Sequence, residues 1–212
     1  MSAAEPSWLL RAGLLAGVRV VLASAPEAPV EAGFAPAAGS LCERLGARIA
    51  GCQASLTGAP EEREAATEQA VAAALGRIGG ASVLIVDAAG IYERAPGPDG
   101  LADALQASWD FTRALANSAF IDGSATGRVL LLAPPSGGDD VHAAGAAAGL
   151  ENLARTLSIE WARYGITIVA VAPGLQTPAP EVAALCAWLA SPAGDYFSGC
   201  LLDLTGPRAA GA

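Results

Sequence analysis

Residues 143–174 read AAGAAAGLENLARTLSIEWARYGITIVAVAPG, one long helix followed directly by a buried strand. Leu150, Leu153, Leu157, Trp161 and Tyr164 recur at three- and four-residue steps, which lines one helical face. Glu151, Arg155 and Arg163 fall off that face and can stay in water. Gly165 ends the helix, because glycine enters the left-handed region without steric cost. Residues 166–171 are almost continuously apolar and β-branched, the pattern of a strand covered on both faces. Pro173 and Gly174 stop it.

The stretch resembles the short-chain dehydrogenase/reductase family. Members carry a Tyr-x-x-x-Lys helix, then Glu, Gly-Ile, a strand and Pro-Gly. Leu150, Arg155, Glu160, Tyr164-Gly165-Ile166 and Ala170-Val171-Ala172-Pro173-Gly174 match in register. A second block, 181–206, matches through Leu189-Ala190-Ser191, Gly199 and a strand ending near Asp203. The resemblance implies an α/β fold. It would be a truncated Rossmann-like, doubly wound parallel sheet flanked by helices in three layers, one domain over residues 1–212. It covers most of the chain and is weakest over about 23–60, a degenerate cofactor region.

Composition agrees with one well-packed domain. Charged residues are 16% and apolar ones 53%, so disorder over most of the chain is excluded. A chain of this size can bury roughly 70–75% of its unfolded surface. Net charge is -9 with no basic stripe, which argues against a nucleic-acid partner. Cys42, Cys52, Cys186 and Cys200 show no metal-ligand spacing and read as reduced thiols in or near the core. Trp8-Leu9-Leu10 is too short an apolar run for a signal peptide, and no stretch reaches membrane-spanning length. The expectation is a cytoplasmic protein with no membrane contact.

The rest of the chain orders the elements. Residues 18–22 read as a first strand, and 29–40 as a glycine- and proline-containing linker in place of a helix. Residues 41–45 give a helical turn or two, and 47–52 a weak strand. Acidic Glu61, Glu62 and Glu64 open a helix to about Leu75, favourable against its dipole. Residues 83–86 are a central strand, and Asp87-Ala88-Ala89-Gly90 a turn. A long helix over 101–120 sets Leu105, Trp109, Thr112 and Ala116 on one face. Residues 128–132, a last helix over 181–189 and a strand over 197–204 complete the list.

Set against the family, the chemistry is depleted. The register puts Ala143 where the family has its tyrosine, Ala147 at its lysine, Pro134 at its serine and Ala104 at its relay asparagine. After the first strand, Ala23-Ser24-Ala25-Pro26-Glu27-Ala28-Pro29-Val30 holds none of the glycines that bring a backbone up to a pyrophosphate. Two prolines there lack amide donors, and Glu27 would repel phosphate. The family's substrate lid after Pro173-Gly174 is absent too. No catalytic, cofactor-binding or metal residue is therefore expected, and no cofactor.

The resemblance then implies a pseudoenzyme, not an enzyme on its own. Its role would be a non-catalytic structural or regulatory subunit. The partner would be an active short-chain dehydrogenase paralogue, in a heterodimer or heterotetramer acting as an NAD(P)-dependent alcohol dehydrogenase. A hydroxyacyl-CoA is one substrate class on that reading. The pairing surface would be helices 101–120 and 143–163, where seven consecutive Ala and Gly residues permit close approach. One alternative is a stand-alone binding or regulatory protein. Another is new chemistry at Ser136, Asp139 and His142, with Asp140 alongside. A serine, an acid and a histidine form a nucleophilic set in principle. Here they crowd one Gly/Asp loop, and a solvated loop is the better reading.

Overall fold

The computed structural model describes residues 10–26, 33–121, 126–136 and 138–206. Apolar runs alternate with helices in the order β1 (Arg19–Ser24), α1 (Phe34–Arg44), β2 (Arg48–Gln53), α2 (Pro60–Ile78), β3 (Val83–Val86), α3 (Ala88–Glu93), α4 (Pro98–Leu115), β4 (Arg128–Leu132), α5 (Val141–Glu160), β5 (Thr167–Pro173), α6 (Ala179–Ala190) and β6 (Cys200–Leu204). The strands form one sheet in the order β2-β1-β3-β4-β5-β6, and every pairing is parallel. The chain winds outward from β1 in both directions, so the order reverses between β1 and β3.

Period-two alternation assigns each strand residue to a layer. Val20, Val83, Ile85, Leu130, Leu132, Val169 and Val171 face α1 and α6. Val21, Leu84, Val86, Val129, Leu131, Ile168 and Ala170 face α2, α4 and α5. Both faces of the sheet are covered, which is why these strands read as unbroken apolar runs. Burying a side chain such as Phe111, Leu115 or Leu150 stabilises the fold by about 1.5–3 kcal/mol. Among the described residues no helix is long and apolar enough to cross a membrane.

The linker expected over 29–40 is corrected in its described part. Helix begins at Phe34, and Ala35, Ala38, Leu41 and Cys42 pack it against α6. Pro36 is tolerated because first-turn amides have no partner inside the helix. Of the face expected for the helix over 101–120, Thr112 and Ala116 are buried and Leu105 packs against the core, but Trp109 does not. Ala104, Ala107, Phe111 and Leu115 turn inward while Trp109 stays 37% exposed. Small alanines fit closest to the sheet and carry little weight in a hydropathy pattern. Past Leu115 the helix widens into one π turn, Ala116–Phe120.

The alanine- and glycine-rich start of α5 has two jobs. Ala143, Ala146 and Ala147 are buried in the chain's own core. A Cβ on Gly145 would come within 2.9 Å of Leu101, and one on Gly149 within 2.7 Å of Leu105. These two glycines therefore set the separation of α4 and α5. Ala144 and Ala148 face outward. The cysteine reading is kept: all four are free, and three are buried. Burial pushes the thiols of Cys42 and Cys52 up to about 12, so neither is a thiolate at neutral pH.

Gly149→Val tests the helix contact. The added methyls would overpack Leu105, and urea denaturation should show a loss of about 1–3 kcal/mol. Unchanged stability would mean that this glycine does not set the spacing.

Candidate functional site

In an open parallel sheet, ligands sit beyond the carboxyl ends of the strands, around the point where strand order reverses. Two features occupy that edge. The first is Asp87, directly after β3, with 4% of its surface exposed. Its main-chain N–H donates to Ala23 O at 2.8 Å, and its Oδ1 accepts from Gly90 N–H at 3.1 Å, capping α3. The turn-stabilising role expected of Asp87 is thus present, in a helix cap. Burial pushes its carboxyl up to about 6; the Gly90 bond opposes the shift and Glu93 adds to it.

Nearby, Tyr92 ties α3 to the start of α5. Its hydroxyl donates to Asp140 Oδ2 at 2.7 Å and accepts from Gly97 N–H at 3.2 Å. The other oxygen of Asp140 accepts from the amides of His142 and Ala143, each at 3.0 Å, and so caps α5. The Ala143 amide, and next the Tyr92 hydroxyl, hold the Asp140 carboxyl below its ordinary range. Burial, and next Asp140, hold the Tyr92 phenol above its own.

The second feature is an open cleft of about 580 Å³ beyond β4, β5 and β6, lined by Ser136, Leu175, Gln176, Thr177, Glu181 and Thr205 among others. Ser136 N–H donates to Pro173 O at 2.9 Å, joining the β4 loop to β5. Thr177 Oγ1 accepts from Gly174 N–H at 2.8 Å and donates to Leu204 O at 3.0 Å, which fixes the floor. Leu175 stands 61% exposed at the rim. This arrangement can bind and orient a ligand with both polar and apolar parts.

The residues weighed from sequence are not gathered by the fold. Ser136 lines the cleft, Asp139 is exposed, and His142 is half-buried in the first turn of α5. Among the described residues no hydrogen bond joins any two of them; the acid that meets His142 is Asp140, at the main chain. Ala104, Pro134, Ala143 and Ala147 are buried, with no polar side chain to offer. Thr177 and Glu181 were missed because their part in the cleft comes from loop closure across β5 and β6. Among the described residues, no group of three or more His, Cys, Asp or Glu is placed to hold a metal.

The family resemblance read in the sequence implies a nicotinamide dinucleotide, and the described residues do not fit one. Ala25 is buried, and the Pro26 carbonyl accepts from the Arg94 guanidinium. Pro26 offers no amide, and neither does Pro36 in the first turn of α1. Glu27, Ala28, Pro29 and Val30 lie outside the described residues.

No family model and no curated protein sequence matches the chain. Solved structures do. A citronellol catabolism dehydrogenase of Pseudomonas aeruginosa PAO1 superposes with a TM-score of 0.68 at 19% identity, over 92% of this chain and 96% of that one. A short chain dehydrogenase from Mycobacterium smegmatis gives 0.69 at 21%, over 93% and 95%. A hydroxysteroid dehydrogenase from Escherichia coli gives 0.68 at 15%, over 92% and 98%. The chain has the short-chain dehydrogenase/reductase fold. Those neighbours are dehydrogenases by name, and this corrects the expectation that the chain is no enzyme on its own. The fold is one used by oxidoreductases, and missing side chains at four register positions do not establish inactivity. A register comparison tests positions along the chain, whereas chemistry depends on which groups share a space.

Asp87 gives the site a measurable pH dependence. Its folded pKa lies above the unfolded value of 3.8, so protonation favours the fold. That contribution is complete below pH 3.8 and is lost as pH rises through about 6. Asp87→Asn keeps an acceptor for Gly90 and removes the charge. It should stabilise the protein at pH 8 by up to about 3 kcal/mol and leave little difference near pH 4. Parallel stability curves for the two proteins from pH 4 to 8 would show that the buried carboxylate carries no such cost.

Proposed function

We propose that this chain belongs to the short-chain dehydrogenase/reductase family and works as an oxidoreductase subunit paired with a second chain of the same fold. The assembly would be an NAD(P)-dependent alcohol dehydrogenase. This chain's contribution at its carboxyl edge is the cleft, where Thr177, Gln176 and Glu181 can orient a polar substrate group beside Leu175.

The observation that carries the pairing is the outward face of α4 and α5. Trp109 on α4 is 37% exposed and Ile159 on α5 is 80% exposed. Ala144 and Ala148 lie outward one helical turn apart, so a facing helix can approach closely there. An exposed tryptophan on α4 and an exposed isoleucine on α5 suit burial against a partner better than open solvent. The carrying observation for the oxidoreductase assignment is the fold likeness over more than nine-tenths of the chain.

Co-expression with a family member whose phosphate loop and Tyr-Lys pair are intact tests the reading. The two chains should co-elute and oxidise an alcohol with NAD(P). Ala148→Trp should separate them at about micromolar concentration with the circular dichroism of this chain unchanged. Ala146→Trp, by contrast, strikes a fully buried position and should unfold the chain. Continued co-elution and full turnover with Ala148→Trp would remove α4 and α5 from the interface.

A further inference from the structure

We propose that the free edge of β2 is a docking site for an extended, acidic peptide segment, which adds to the sheet as a further strand. β2 ends the sheet. Arg48 N–H donates to Val18 O and Ala54 N–H to Ser24 O, both at 2.9 Å, so the even-numbered residues of β2 turn their main chain toward β1. In a parallel strand the alternate residues turn theirs the other way. Ile49, Gly51 and Gln53 therefore turn their main chain outward; the Gly51 carbonyl accepts from Arg77, and the amides of all three and the Ile49 and Gln53 carbonyls form the template for another strand.

A depression of about 480 Å³ lies between the carboxyl end of β2 and α2, lined by Ser24, Gly51, Cys52, Gln53, Ala70 and Arg77, so it takes in the second half of that edge. Gly51 lies at its centre and is exposed, with only Leu22 O within 4.0 Å of where a Cβ would stand. A second backbone can therefore come close.

Charge selects the occupant. Arg19 and Arg48 are register partners on β1 and β2, so two like charges sit side by side on one face. Arg77 reaches from the last turn of α2 to the Gly51 carbonyl. Among the described residues none of the three has a carboxylate partner, and the Arg19 Nε is buried without any acceptor. None of the residues lining the depression is acidic, in a chain of net charge -9. A strand bearing glutamates on alternate positions would pair its main chain with Ile49, Gly51 and Gln53 and its carboxylates with these arginines.

The probe is a fluorescent hexapeptide of alternating valine and glutamate, blocked at both ends and titrated by anisotropy. It should bind at about 10–100 micromolar in moderate salt, while the valine–arginine counterpart should not. Gln53→Pro removes an outward amide without touching the bonds to β1 and should weaken binding by about ten-fold or more. Arg48→Gln with Arg77→Gln should weaken it by several-fold. Amide exchange at Gly51 and Gln53 should slow when the acidic peptide is added, a readout that stands even where the proline variant folds poorly. No binding up to about 1 mM would overturn the proposal. So would equal affinity for Gln53→Pro with unchanged exchange, which would reduce the contact to charge alone.

Discussion

The contact on which most of this chain depends is the close approach of α5 to α4. Gly145 and Gly149 leave room for Leu101 and Leu105, so one helix seats directly on the other. That seating decides three things together. It turns Ala143, Ala146 and Ala147 into the core, it leaves Ala144 and Ala148 outside, and it brings the start of α5 beside α3. The last consequence lets Asp140 cap α5 with one oxygen and hold Tyr92 with the other. A larger residue at Gly149 would disturb the packing, the cap and the outward face in one step, because all three rest on one helix separation.

Much of the fold was legible in residues 143–174 because burial there obeys a simple period. The strands were equally plain, since double coverage demands unbroken apolar runs. Helix α1 was hidden for a physical reason. Its inward residues are Ala35, Ala38, Gly39, Leu41 and Cys42, mostly small, and Pro36 stands in the first turn, where helix geometry tolerates it. The cleft was not legible at all. Ser136, Thr177 and Thr205 lie far apart in sequence and meet only because β4, β5 and β6 end at the same level. The loop triad failed for the opposite reason. Neighbours in sequence on a turn point in different directions, and the cap geometry of Asp140 used the available acid.

The carboxyl edge also shows how one side chain can change its electrostatics. The family that the chain resembles has Asn-Asn-Ala-Gly where this chain has Asp87-Ala88-Ala89-Gly90. A carboxylate there accepts the same Gly90 amide, so the local backbone is preserved. The cost is a buried charge near neutral pH, offset only in part by that hydrogen bond. The cap therefore survives substitution, while the protonation state of the edge becomes a variable.

That variable constrains any chemistry the chain performs. The basic residues number twelve and all are arginine, so no lysine is present to lower the pKa of a phenol. Of three tyrosines, Tyr164 precedes β5 and Tyr196 precedes β6, at the amino edge of the sheet. Only Tyr92 stands at the carboxyl edge, and its surroundings hold it protonated. Proton transfer at this edge near neutral pH therefore falls to a carboxyl group before a phenol. Asp87, pushed up to about 6, comes into the working range of a general acid or base. Its burial behind the α3 cap makes access, more than acidity, the factor that limits it.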